Sequence, residues 1–141
     1  MKTNKYIWIF SLTIIFGQYD YSLEDLNLTS DYYEEYVGTS YFPNQVTLHY
    51  FGHYNWGTCT ARFGQLNDLY DNLKAENYPV ELIGVGMETQ IDYVENWTNE
   101  NDAPVCADPS PFSTWTEWSA SQRDLFLLDI DGNIVLQQNI T

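Results

Sequence analysis

The residues best suited to chemistry lie in one stretch, residues 46–69, which reads VTLHYFGHYNWGTCTARFGQLNDL. Its pattern predicts an apolar strand, a short glycine-containing turn, and a helix whose first turn carries Cys59. A thiol at the start of a helix meets the positive end of the helix dipole, which favours the thiolate. The stretch therefore predicts thiol redox chemistry with Cys59 as a participant.

Two histidines near Cys59 raise the alternative of a metal site. His49 and His53 lie four residues apart around the predicted strand end. That spacing is not specific to metal binding, and no motif places a carboxylate or second cysteine to complete the coordination shell. We therefore predict no bound metal and no other cofactor. Because His53 is near the helix start, we predict instead that it polarises the residue at position 56.

Length and charge limit the classes of partner. The chain has 141 residues, with 20 Asp and Glu against 5 Lys and Arg, for a formal net charge of −15. Nucleic acid and anionic membrane surfaces require clustered positive charge, so neither is a predicted partner. The length suits one domain with a single core.

The first 17 residues are predicted to be a signal peptide, which leaves residues 18–141 as the domain. Lys2 and Lys5 supply the positive region, and YIWIFSLTIIFG supplies the apolar region. This run is too short to span a bilayer comfortably. We therefore predict cleavage and export to the periplasm or the extracellular space, with no membrane association afterwards.

The rest of the pattern predicts an α/β protein with a mixed central sheet flanked by helices. The predicted strands are residues 21–23, 46–51, 79–87, and a hairpin of 125–128 and 133–136 around an Asp-Gly turn, with a short extended piece at 104–106. The predicted helical segments are 63–78, 91–99 and 114–120.

This arrangement resembles the thioredoxin-like superfamily, and within it the exported redoxins and the amino-terminal domain of selenoprotein P. The resemblance is carried by YSLEDLN, VTLHYFGHYNWGTC, APVCAD and RDLFLLDIDGNIV, which lie between residues 21 and 135. It implies a thioredoxin fold and thiol-disulfide or peroxide chemistry on protein or small-molecule substrates. The fold usually adds a helix after the hairpin, so with the sequence ending at Thr141 we expect that final helix to be missing.

The resemblance carries over Cys59 as the second cysteine of a Cys-x-x-Cys helix start. The attacking cysteine, or the selenocysteine of the selenoprotein P type domain, corresponds to position 56, which is Trp. Arg123 lies about where many thioredoxin-like proteins place a cis-proline facing the active site, and the selenoprotein P type domain has a basic residue there. The resemblance thus implies that Arg123, like His53, is a neighbour of position 56.

Because an indole cannot act as a redox nucleophile, Trp56 leaves three explanations open. The domain is catalytically degenerate and keeps its fold for binding or structure; or the true residue is selenocysteine, whose codon UGA differs in one base from the Trp codon UGG; or a rearranged redox protein acts through Cys59, with or without Cys106. Turnover of peroxide with a thiol reductant distinguishes an enzyme from a degenerate domain.

Cys59 and Cys106 are also a candidate disulfide. If the sheet is ordered as in the resembled fold, both lie near the carboxyl ends of strands, where bridging distances can be met. An exported protein meets an oxidising environment, which favours such a bond. We predict the disulfide, against the alternative of two buried, unpaired thiols.

Overall fold

The computed structural model describes residues 19–141, so the predicted signal peptide lies outside the described part. In chain order the elements are β1 (Leu23–Glu24), β2 (Tyr36–Val37), β3 (Val46–Phe51), α1 (Gly57–Ala75), β4 (Val80–Met87), α2 (Glu95–Thr98), β5 (Val105–Asp108), α3 (Ser113–Glu117), β6 (Asp124–Leu128) and β7 (Ile134–Asn139). Two 3-10 helices, Thr39–Tyr41 and Glu88–Tyr93, precede β3 and α2. None of the helices within residues 19–141 has the length and apolar character needed to cross a membrane.

Five strands form the mixed sheet that the sequence predicts, in the order β5-β4-β3-β6-β7. β3 pairs in parallel with β4 and antiparallel with β6, while β4 pairs in parallel with β5. β3 and β4 are buried over nearly their whole length, as expected of central strands covered on both faces. β6 and β7 form the predicted hairpin, and β7 is the last element before Thr141.

The sheet separates two apolar clusters, one on each face. Successive strand residues point to opposite faces, so Tyr50 joins the cluster under α1 with Phe63 and Trp97, whereas Phe51 joins the other. The second cluster also holds Trp115 and Trp118 of the α3 region, together with Leu23, Val37 and Phe42 from the chain before β3. Each face therefore has its own core.

α1 begins with Cys59 in its first turn, as predicted. Its buried residues include Phe63, Leu66 and Tyr70, whose spacing of three and four places them on one face. The helix ends at Ala75, three residues before the predicted end, and Asn77 follows with a left-handed φ of 63°. The predicted helix at 91–99 is instead the end of a 3-10 helix followed by the single turn of α2.

Candidate functional site

Position 56 is the N-cap of α1, where the chain leaves β3 and enters the helix. Trp56 has extended backbone angles (φ −107°, ψ 117°), and its side chain makes no capping hydrogen bond. The residue is 46% exposed. Its backbone N–H donates to the His53 carbonyl over 3.2 Å, which closes the turn before the helix. Position 56 thus presents its side chain to solvent at the positive end of a 19-residue helix.

Cys59 lies behind position 56 and is completely buried. A Cβ atom added at Gly52 would lie 3.3 Å from the Cys59 Cβ and 2.9 Å from the Trp97 ring, so the absence of a side chain at position 52 lets Cys59 pack there. The Tyr50 hydroxyl donates to the Cys59 carbonyl over 3.3 Å. The side chains of an N-cap residue and of the third helical residue are neighbours. Cys59 therefore lies one turn behind position 56 and has no surface that a large external substrate could contact.

His53 packs between two tryptophans. Its ring centroid lies 5.1 Å from that of Trp56 and 5.7 Å from that of Trp115, whose ring is nearly parallel to it. The Gln90 amide group bonds His53 Nδ1, and the Gln90 Oε1 atom accepts the Tyr54 backbone N–H over 3.0 Å. Burial lowers the pKa of His53, because the imidazolium ion is the form that loses hydration.

Arg123 lies beside the end of β3. Its backbone N–H donates to the Phe51 carbonyl over 2.7 Å, and its φ of 68° is left-handed. Burial lowers the pKa of His53, and the positive charge of Arg123 adds to that shift; burial raises the pKa of Tyr50, and the same charge acts against that shift. Among residues 19–141 this guanidinium forms no salt bridge, and its buried Nε has no hydrogen-bond partner. The positive charge of Arg123 is therefore without a carboxylate partner among residues 19–141.

The structure does not form the predicted disulfide. Cys59 and Cys106 are both free and buried, and they belong to the clusters on opposite faces of the sheet. The Cys106 thiol lies 3.7 Å from the Leu23 carbonyl oxygen, to which it donates. Burial raises the pKa of Cys106, and the negative charge of Asp25 acts in the same direction. The structure therefore has the alternative arrangement of two buried, unpaired thiols on opposite faces of the sheet.

His49 is separate from the site as well. It is fully buried, with Nδ1 2.7 Å from the Tyr21 hydroxyl and Nε2 2.8 Å from the Thr47 hydroxyl. Burial lowers its pKa to about 3, so it stays neutral. No group of three His, Cys, Asp or Glu side chains in the described part of the chain could hold a metal ion.

Two residues of the site, Gln90 and Trp115, are not identified by the sequence analysis. Gln90 lies three residues beyond β4 and reaches His53 across 37 positions of the chain. Trp115 is buried, with its indole N–H donating to the Gly86 carbonyl over 3.3 Å and its backbone N–H donating to Asp108 over 3.0 Å. Only the general rule that parallel strands end at one edge of a sheet would have placed Gln90 near position 56.

Comparison with known proteins identifies the fold. No protein-family model matches the sequence, and no curated protein matches it significantly. Solved structures do match. A thiol-disulfide oxidoreductase from Bacteroides fragilis NCTC 9343 superposes with a TM-score of 0.66 at 16% identity, over 89% of this chain and 91% of that one. The fold is thioredoxin-like.

Two further structures agree. StoA from Bacillus subtilis matches with a TM-score of 0.64 at 17% identity, over 85% of this chain and 87% of its own. A secreted disulfide oxidoreductase of Mycobacterium tuberculosis, described as homologous to E. coli DsbE, matches with a TM-score of 0.64 at 12% identity, over 88% of this chain and 86% of that one. At these identities the similarity concerns the thioredoxin-like fold, which is the fold class that the sequence predicts.

Proposed function

We propose that this chain is an exported thioredoxin-fold oxidoreductase whose attacking residue is at position 56, and that this residue is a selenocysteine whose UGA codon has been read as Trp. One observation carries the proposal. Position 56 is the exposed N-cap of α1, and Cys59 is buried one turn behind it. The two positions are thus the exposed and buried members of a redox pair, and only the exposed member lacks a reactive atom.

The reaction that this geometry supports is a two-step exchange. A selenolate at position 56 attacks one sulfur of a substrate disulfide, so a selenium–sulfur bond forms, the sulfur–sulfur bond breaks, and one substrate thiolate leaves. Cys59 loses its proton to water and attacks the selenium, which releases the second substrate thiolate. The substrate gains two electrons, and positions 56 and 59 are left joined by a selenium–sulfur bond. An external dithiol reduces that bond and is itself oxidised to a disulfide.

A peroxide substrate would use the same residues. The selenolate attacks the peroxide oxygen and breaks the oxygen–oxygen bond, which leaves a selenenic acid at position 56. The departing alkoxide or hydroxide takes a proton from water and becomes an alcohol or water. Cys59 then displaces water from the selenenic acid and forms the same selenium–sulfur bond. The start of α1 favours an anion at position 56.

The decisive experiment reads the codon at position 56 and measures selenium in the protein purified from its natural source. A UGA codon with about one selenium atom per chain is expected on the mechanism above. A recombinant Trp56→Cys chain should reduce disulfides or peroxide with dithiothreitol, whereas Trp56→Ser, of the same size without the thiol, should not. A UGG codon, or protein free of selenium, would overturn the selenocysteine assignment. An inactive but folded Trp56→Cys chain would overturn the attacking role of position 56.

A catalytically degenerate binding or structural domain is the second candidate. The observation that favours it is the contact of the Trp56 ring with the His53 ring, which a genuine Trp would use to form a partly exposed aromatic surface. The same codon measurement discriminates, because UGG makes the Trp genuine. Complete burial of Cys59 disfavours the remaining candidate, a redox protein that acts through Cys59 alone.

Export is proposed from the pattern of residues 1–17, and the secreted Mycobacterium tuberculosis neighbour is consistent with it. The proposed partners are protein or small-molecule disulfides or peroxides. Sequencing the amino terminus of the native protein tests export, with a start at or near residue 18 expected. A native protein that retains Lys2 and Lys5 would contradict cleavage.

A further inference from the structure

The contact between Gln90 and His53 has a fixed direction. Gln90 Oε1 lies 3.0 Å from the Tyr54 backbone nitrogen, and the Gln90 Nε2 group faces His53 Nδ1. A backbone N–H can only donate a hydrogen bond, so the amide oxygen must be the atom that faces Tyr54. Rotating the amide by 180° would place the Gln90 NH₂ group against the Tyr54 N–H, so two donors would face each other. The NH₂ group is therefore the one directed at the imidazole.

This direction determines the protonation state of His53. A ring nitrogen that faces an N–H donor must supply a lone pair, so Nδ1 is unprotonated and the proton of the neutral ring lies on Nε2. Protonating Nδ1 would lose the hydrogen bond from Gln90. Burial of the ring opposes an imidazolium ion by lowering the pKa of His53, and the positive charge of Arg123 acts in the same direction. Trp115 packs on the ring with centroids 5.7 Å apart, which limits the rotation of His53 whichever residue occupies position 56.

We propose that Gln90 is a positioning residue that holds His53 neutral, with its proton on Nε2, so that His53 serves an anion at position 56 as a hydrogen-bond donor and not as a cation or a base. The part that concerns the anion rests on the function proposed above; the protonation state of His53 does not. An unperturbed histidine changes charge near pH 6.5. A neutral donor instead gives the site constant charge across the range in which exported proteins work.

Nitrogen-15 NMR of the imidazole rings tests the protonation state on the full chain without any activity measurement. The chain has two histidines, and His53→Phe, which keeps an aromatic ring between the tryptophans, identifies the His53 signals. We expect a neutral ring protonated on Nε2, with no titration between about pH 5.5 and 8. A ring protonated on Nδ1, or one that titrates near its ordinary value, overturns the proposal.

Gln90→Glu provides the matched perturbation. One carboxylate oxygen can still accept a hydrogen bond from the Tyr54 N–H, while the other can accept one from a protonated Nδ1. The imidazolium ion is then favoured, so the pKa of His53 should rise by about one unit or more. Gln65→Glu adds the same charge at an exposed site on α1 whose side chain contacts Arg62, and it should leave the His53 signals unchanged. An equal response to both variants would mean that added charge, and not the Gln90 contact, sets the His53 state.

The donor role is tested in a Trp56→Cys chain by the pH dependence of alkylation of the introduced thiol. His53→Phe removes the donor and should raise the pKa of that thiol, whereas Gln90→Glu should lower it by creating a cation nearby. If NMR shows the expected neutral ring but His53→Phe leaves the thiol pKa unchanged, the donor role is refuted. That result would leave the function proposed above standing, because disulfide turnover by the same Trp56→Cys chain is measured separately.

Discussion

Substituting Trp56 by Cys should create a thiol that ionises more readily than an ordinary cysteine. We would make the change together with Cys59→Ala, so that the introduced thiol has no partner in the first turn. The positive end of a helix stabilises a nearby anion by about 0.3–1 kcal/mol at an exposed site and up to about 2 kcal/mol at a partly buried one. Because Trp56 is 46% exposed, we use about 1 kcal/mol for the stabilisation of a thiolate at position 56.

That free energy converts directly into a pKa. At 1.36 kcal/mol per unit, the thiol pKa should fall by about 0.7, from about 8.5 to about 7.8. Ala75→Cys is the matched control, because residue 75 is exposed at the negative end of the same helix. Its thiol pKa should be at or above the ordinary value.

The assay is the rate of alkylation by iodoacetamide as a function of pH, at low salt and again at about 1 M salt, where the Debye length falls to about 3 Å. The rate should rise with pH around the pKa of the introduced thiol, and salt should reduce the difference between the two ends of α1. Equal pKa values at positions 56 and 75 at low salt would refute the reasoning that the helix start prepares position 56 for an anion.

Three further results are expected. The two native thiols should resist alkylation in the folded protein and both react after unfolding, and a bridged pair in the native protein would contradict the packing described above. Gly86→Ala should destabilise the fold by about 1–3 kcal/mol, because the new Cβ would lie 2.2 Å from the Tyr54 ring. Gly64→Ala should stabilise the fold by about 0.5–1 kcal/mol, because residue 64 lies in α1 with open space around its Cβ position. Urea denaturation measures both free energies of unfolding. Burial and neighbouring aspartates raise the pKa of Asp71 from 3.8 to about 6, so ionisation of Asp71 opposes folding as the pH rises through that window. Asp71→Asn should therefore raise the free energy of unfolding at pH 7 by at most about 1 kcal/mol and leave it unchanged near pH 3. An equal effect at both pH values would exclude this cause.

The central part of the fold follows from local sequence signals. β3 has the predicted bounds because most of its residues are β-branched or aromatic and Gly52 follows it. The start of α1 also agrees with the sequence prediction, because an apolar strand followed by a glycine-containing turn indicates a helix whose first turn carries Cys59. The structure of the segment after β4 could not be predicted, because a 3-10 helix with Gln90 at non-helical angles has no periodic pattern in the sequence.

The relation between the two cysteines could not be obtained in the same way. Val105 and Cys106 alternate between faces of β5, but which face α1 covers depends on how the strands are paired. A shift by one residue would have put Cys106 under the helix with Cys59. The contact of Gln90 with His53 likewise depends on two strands ending side by side, which is a property of the assembled sheet.

Residue 56 lies at the start of α1 and belongs to neither core, so its side chain can change without changing the packing that stabilises the fold. Phe63 and Trp97 stack at 4.7 Å whichever atom the residue-56 side chain offers to solvent, so a reactive and an inert form of this domain can share one scaffold. A single codon would then convert one into the other without repacking. Surveys that group such domains by their cores would place catalysts and non-catalysts together, and the residue at the helix start would be needed to tell them apart.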